Sequence, residues 1–330
     1  MNVEWSLILI LALVLAAEFV NGWTDAPNAI ATVVSTRVLS IRAAVAMATI
    51  CNILGALSGT AVATTIGKGI IDTSLLEPRI ISAAMISLIA WSSLAAQFGI
   101  PTSESHALVA GLAGAALAAA GPHALLFSGW AKVGIGLLLS SGMGFLMSSV
   151  LARAVIVFAN RLPSNKAGLL FNRLQIFSSL FMAYNHGLND GQKFIGVFVM
   201  ALVMGGMLTT FETPIWVILL CSITMGIGTS VGGLKIIRQV GMRMVDIRPW
   251  QGFAAETSAA LVIWGASMAG VPLSTTHTIT TSIIGVAAAK NPRGVRWRIA
   301  GNIVLAWAIT FPLCGTLAFL VSLVFKHVAP

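Results

Sequence analysis

Apolar runs of about 20 residues follow one another from end to end of this 330-residue chain, and a run of that length crosses a bilayer as a helix. No other feature restricts the fold as strongly. The expected class is an all-α polytopic membrane protein with no soluble domain of useful size. Composition agrees: 57% of residues are hydrophobic and 9% charged, where soluble domains carry about a quarter charged. The longest polar stretches, near 160–173 and 235–251, read as connectors. The opening MNVEW lacks a basic start and a small-residue cleavage pattern, so it reads as the first membrane segment. Cys51, Cys221 and Cys314 have no paired spacing and read as small buried hydrophobes. The net charge of +9 sits in short loops, which points to membrane orientation and away from nucleic acid.

Polar residues interrupt the apolar runs at a few places, and those places recur. GIPTSESHALVAG from Gly99 and GVPLSTTHTITTS from Gly270 share Pro-x-Ser-x-x-His, so Pro101, Ser103 and His106 align with Pro272, Ser274 and His277 at a constant offset of 171. NGWTDAPNAIATV from Asn21 matches NHGLNDGQKFIGV from Asn185, with Asp25 facing Asp190 at an offset of 165. Two marks in one order, half a chain apart, indicate duplication. The expected units are a first repeat over 1–159, a cytoplasmic linker over 160–173 and a second repeat over 174–330.

If each repeat makes about five crossings, the second is inverted relative to the first. With the N-terminus outside, the inner loops hold Arg37, Arg42, Arg153, Arg161, Lys166, Arg173, Lys235, Arg238, Arg243, Arg248, Lys290, Arg293, Arg296 and Arg298. Only Lys68, Arg79, Lys132 and Lys326 fall outside. The positive-inside rule favours this arrangement, with both termini outside.

Residues 4–36 as one straight helix would run roughly 50 Å, longer than a hydrocarbon core of about 30 Å. Gly22 and Pro27 offer a break around Asp25 and Asn28, and Gly187 and Gly191 bracket Asn189 and Asp190. Backbone freed at a break must face protein or a wet cavity. Interrupted helices at matching places in two inverted halves mark a secondary-transporter site at mid-membrane. Behind each hairpin proline stands a hydroxyl cluster: Thr102, Ser103 and Ser105 in one copy, Ser274, Thr275 and Thr276 in the other. These can cap helices whose starts supply free N–H groups and about half a positive charge each. Two such starts pointing at one another would cradle an anion. An anion of charge −2, with Asp25 and Asp190, outweighs Lys193 and two helix starts by about two charges. Net charge at that depth is costly, so the balance calls for a divalent metal, two protons or two monovalent cations moving with the anion.

Each residue also has a structural reading. Asp25 and Asp190 could cap helix breaks, but intramembrane acids mark pathways and these occur in both repeats. Lys193 can pair with Asp190, nearly one turn away, and still act on the anion site. Asn28 and Asn189 are cation ligands or ordinary amides at a break. The hydroxyl clusters could be interhelical glue; their repetition behind a proline favours anion contact. His106 and His277 read as structural groups contacting the opposite bundle. Glu18, Glu104 and Glu256 fall at membrane depth, and at least one is expected to titrate during transport. The nine tryptophans read as interfacial anchors and the methionines as packing filler. An enzyme is the competing class, since His186 stands four residues before Asp190, a spacing open to a metal. The sequence has no H-E-x-x-H, however, and neither hairpin serine sits in G-x-S-x-G. An anion channel fits inverted repeats with buried counter-charges less well than alternating access.

The motifs are also familiar. NGWTDAPNAIAT and HGLNDGQKFIG resemble the duplicated signature of the PiT family of inorganic phosphate transporters, most closely its bacterial Pit type. PTSESHALVAG, PLSTTHTITTS and GFAAETSAAL resemble its two hairpins and its glutamate segment, in the family's order. The resemblance implies phosphate as substrate, a homodimer and location in a bacterial cytoplasmic membrane. It places phosphate ligands at Ser103, Ser105, Ser274, Thr275 and Thr276, and cation-binding positions at Asp25, Asn28, Asn189 and Asp190; Glu256 matches a transport-linked acid. Three departures stand out. Thr24 replaces the first Asn of N-D, Glu104 stands where the other hairpin has Thr275, and Lys193 takes the place corresponding to Asn28. An ammonium there repels sodium and supplies its charge permanently. The resemblance to bacterial Pit proteins, which are linked to protons and to neutral metal–phosphate complexes, implies the same, so proton coupling is expected, without a resident cofactor and with Mg2+ or another divalent metal riding on phosphate. Sodium coupling is the alternative, and sulfate is an alternative substrate.

Overall fold

The computed structural model describes residues 3–231 and 234–328, and no strand forms among them. The chain is all α-helical and polytopic, as its sequence requires. The first half runs through α1 (Val3–Thr24), α2 (Ala26–Ser35), α3 (Ile41–Ala56), α4 (Ala61–Gly69), α5 (Pro78–Phe98), α6 (Glu104–Ala120) and α7 (Phe127–Ala159). The second runs through α8 (Ser164–His186), α9 (Gln192–Met204), α10 (Ile215–Val231), α11 (Leu234–Ile237), α12 (Pro249–Met268), α13 (Thr275–Lys290) and α14 (Trp297–Val328).

Among the described residues, four helical spans are long and apolar enough to cross a membrane, or six if the bent pairs α3–α4 and α10–α11 each count as one. Helices α6, α9 and α13, with 17, 13 and 16 residues, are too short to span a membrane alone.

Packing partners correspond between the halves. Helix α1 packs on α5 and α10, while α8 packs on α12 and α3. Likewise α4 meets α9 as α11 meets α2, and the hairpin helix α6 lies on α14 as α13 lies on α7. The apolar interior is correspondingly divided in two. One core draws on α1, α4, α5, α6 and α9, the other on α8, α11, α12, α13 and α2. Helices α3 and α14 contribute to both cores, and the chain also passes from one core to the other at Asp25 between α1 and α2, and at Gly187–Gly191 between α8 and α9.

These crossings are tighter than the sequence suggested. Only Asp25 separates α1 from α2, because Pro27 has no N–H to give Trp23 and the ladder cannot continue through it. The second crossing is a single turn of π-helix over Gly187–Gly191, without unwinding. Nor do Gly22 and Gly187 act as breaks. A Cβ on Gly22 would lie 2.1 Å from the Met225 carbonyl oxygen, and one on Gly187 2.1 Å from that of Asn52. Both glycines allow backbones to approach closely, α1 to α10 and α8 to α3.

The hairpins follow the expected local logic. Gly99 (φ 69°) and Gly270 (φ 64°) take left-handed conformations that end α5 and α12. Pro101 and Pro272 then hold the chain extended up to the N-caps Ser103 and Ser274. The three cysteines are buried free thiols. Trp5, Trp216, Trp264 and Trp297 are exposed, but Trp307 is not an interfacial anchor: it is buried and stacks on His277, with ring centroids 3.7 Å apart.

Candidate functional site

The tips of the two hairpins meet between the two cores. Ser103 and Ser274 each accept the backbone N–H of the histidine three residues on, His106 and His277, and so fix the starts of α6 and α13. Their hydroxyls then lie 2.8 Å apart. Ser105 Oγ donates to the Leu273 carbonyl at 2.9 Å, tying the first hairpin to the second.

Both chain crossings face this junction. Asp25 Oδ1 accepts from Thr276 Oγ1 and, at 2.7 Å, from Asn28 Nδ2. Asp190 Oδ1 is ion-paired with Lys193, one turn along the same segment. The Lys193 ammonium also donates to Ser105 Oγ and, at 2.7 Å, to the Leu273 carbonyl. Thr275 Oγ1 joins the two acids, standing 2.7 Å from Asp190 Oδ2 and 3.2 Å from Asp25 Oδ2. Asp25, Asp190 and Lys193 are each 1% exposed. At that burial the lysine stays only because carboxylate, hydroxyl and carbonyl surround it.

Most residues singled out from sequence therefore come together: Asp25, Asn28, Asp190, Lys193, Ser103, Ser105, Ser274, Thr275 and Thr276. The hairpin hydroxyls bond one another and the acids, since buried polar groups find partners within the protein. An anion would have to part these contacts to enter. Asn189 lies beside the cluster and turns to the end of α12, donating to Ser267 Oγ at 2.8 Å. The side-chain oxygens of Asn28 and Asn189 are buried without a donor.

The three glutamates occupy separate places. Glu104 accepts from Thr24 Oγ1 at 2.7 Å and from Ser92 Oγ, and so turns away from the hairpin tips. Glu256, on α12, accepts from Thr32 and Ser178, tying α12 to α2 and α8. Glu18 accepts from Asn21 Nδ2 at 3.1 Å, and its second oxygen is buried without a donor. His106 and His277 pack edge to face with centroids 4.4 Å apart, joining the hairpins as apolar bodies.

One neighbour of the cluster escapes the sequence reading: Asn52 on α3 accepts from His186 Nδ1 at 3.1 Å. Asn52 lies mid-helix in an apolar run with no counterpart motif, so only the signal of a lone buried amide was available.

The model of a family described as the phosphate transporter family matches residues 21–164 and 157–318. A Bacillus subtilis protein described as a "probable low-affinity inorganic phosphate transporter" is 40% identical over 325 residues, covering 96% of this chain and 98% of its own length. A Rhizobium meliloti protein of the same description is 40% identical over 316 residues, with 95% of each chain covered. A solved structure titled "The sodium-dependent phosphate transporter" shares the fold, with a TM-score of 0.87 at 24% identity over 99% of this chain and 100% of that one.

Proposed function

The chain belongs to the phosphate transporter family, and we propose that it imports inorganic phosphate as a proton-coupled symporter of a bacterial cytoplasmic membrane. The observation that carries this reading is the meeting of two hydroxyl-bearing helix starts, Ser103 against Ser274, over Asp25, Asp190 and Lys193. Helix starts and hydroxyls suit an oxyanion. Ser103, Ser105, Ser274, Thr275, Thr276 and Lys193 would bind it once the tips part. The two acids are then released from Thr275 and Thr276, so phosphate and coupling ion exchange partners at one place.

The matched packing of the two halves supports inverted repeats over 1–159 and 174–330, and the basic loops favour a cytoplasmic linker with both termini outside. Two cores that flank the site suit alternating access, one rocking against the other. We place two such chains in a homodimer through the apolar outer faces. Lys193 supports protons over sodium, because its charge already neutralises Asp190. Glu104, Asp25 and Glu256 are the candidate proton carriers. Phosphate accompanied by Mg2+ or another divalent metal would satisfy the remaining charge.

A second reading, sodium coupling, draws on the Asn28 and Asn189 oxygens, which have no donor and suit a hard cation. Labelled-phosphate uptake by Asp190→Asn in membranes tests the site. The variant is expected to insert normally and to take up no phosphate above background; near-normal uptake would remove the site assignment.

A further inference from the structure

The three glutamates at membrane depth differ in how their oxygens are held. Glu104 has a hydroxyl on each oxygen, from Thr24 and Ser92, and Glu256 likewise has Thr32 and Ser178. A hydroxyl donates to a carboxylate and also accepts from a carboxylic acid, so those two pairings suit either charge state. Glu18 has no hydroxyl partner. Its Oε2 accepts from Asn21 Nδ2 at 3.1 Å, and its Oε1 has no donor. Asn21 Oδ1 has no donor either, and both residues are 0% exposed.

The surroundings supply no cation in contact. Helix α1 packs on α2, α5, α9 and α10. Helix α2 has no ionisable side chain, and α5 has only Arg79 at its start, ion-paired with Glu77. Cys221 on α10 faces Glu18, as do Lys193 on α9 and Asp190 before it. Lys193 bonds Asp190, Ser105 and the Leu273 carbonyl instead. One proton on Glu18 Oε1 satisfies both orphaned oxygens at once. The O–H donates to Asn21 Oδ1 while Oε2 keeps its bond from Nδ2, a two-point carboxylic acid–amide pair one helical turn apart. An ionised Glu18 would leave an uncompensated charge in the apolar core to which Ala17 and Cys221 belong.

We propose that Glu18 is a further proton-binding site of the transport cycle, neutral and paired with Asn21 in this conformation and ionised when its core opens to water. Asn21 is the positioning residue. The role deepens the proton-coupled reading above and rests on it. Glu18 Oε1 takes one proton from water when the site opens to one side. The same O–H bond breaks, and the proton returns to water, when the site opens to the other.

The test joins infrared spectroscopy to transport, on the full-length protein in proteoliposomes at neutral pH. The parent-minus-Glu18→Gln difference spectrum is expected to contain the carbonyl stretch of a neutral carboxylic acid, displaced in D2O. Asn21→Leu is expected to move that band to higher frequency, because the acid loses its acceptor. Absence of the band, or a band that Asn21→Leu leaves in place, would overturn the pairing. The glutamine of Glu18→Gln can pair with Asn21 without a proton, so this variant mimics the neutral form permanently. It is expected to exchange internal for labelled external phosphate, while accumulation driven by a proton gradient falls at least tenfold. Loss of exchange as well would place Glu18 in phosphate binding and overturn its role as a proton site. Gradient-driven accumulation by the variant at the parent level would remove this inference alone. A parent that accumulates phosphate regardless of the gradient would remove the proton reading itself.

Discussion

Thr24 Oγ1 lies 2.7 Å from Glu104 Oε1, so two of the positions at which this chain departs from the family pattern are partners. Thr24 ends α1 and Glu104 begins α6, and Ser92 on α5 holds the other carboxylate oxygen. The contact joins the first chain crossing to the first hairpin, the same link that Thr275 and Thr276 make to Asp25 from the second hairpin. A double-mutant cycle of Thr24→Val and Glu104→Gln is expected to show a coupling of about 0.5–3 kcal/mol in thermal stability. Additive effects would contradict a direct bond between the two side chains.

Glu256 ties α12 to α2 and α8 through Thr32 and Ser178, away from the hairpin tips. Glu256→Gln is expected to retain phosphate binding, read as a rise in melting temperature on adding phosphate, while uptake falls at least tenfold. Loss of the phosphate-induced rise would place Glu256 in the binding site itself.

Two neighbouring glycines of α7 separate packing from helix propensity. A Cβ on Gly136 would lie 2.3 Å from the Pro272 carbonyl oxygen, whereas one on Gly134 meets nothing within 4 Å. Gly134→Ala is expected to be neutral or to stabilise by up to about 1 kcal/mol. Gly136→Ala pushes on the hairpin tip that carries Ser274, and is expected to cost about 1–3 kcal/mol and to reduce uptake. Equal melting temperatures for the two variants would contradict the packing described for α7 and the second hairpin.

Lys193 stands where the matching position of the first half has Asn28. Its ammonium bridges Asp190, Ser105 and the Leu273 carbonyl. Lys193→Asn removes that charge and leaves an amide. Uptake by this variant in sodium-free medium is expected to fall at least tenfold, with sodium restoring part of it. Sodium-free uptake at the parent rate would show that the lysine supplies no charge the cycle needs.

Much of this was legible in the sequence because repetition carries information that composition does not. The offset of 171 between the Pro-x-Ser-x-x-His stretches named both hairpins, and the structure joins Ser103 to Ser274. The acids and Lys193 were legible as charges in apolar surroundings. What was not legible depends on which helices touch. Asn52 becomes a partner of His186 only because α3 packs on α8 through a glycine contact. Gly22 read as a break because glycine disfavours helices; tertiary packing on α10 overrides that propensity. Glu104 read as an acid at membrane depth from its place in the hairpin, but its partners Thr24 and Ser92 follow from where α1 and α5 stand and were not legible.

Phosphate is expected to move with protons through a site whose fixed positive charge is Lys193. Uptake of labelled phosphate into proteoliposomes, under an inward proton gradient and with or without sodium, tests it most directly. Uptake that persists without sodium and collapses when the gradient is dissipated is the predicted result. Uptake that requires sodium and ignores the proton gradient would contradict it.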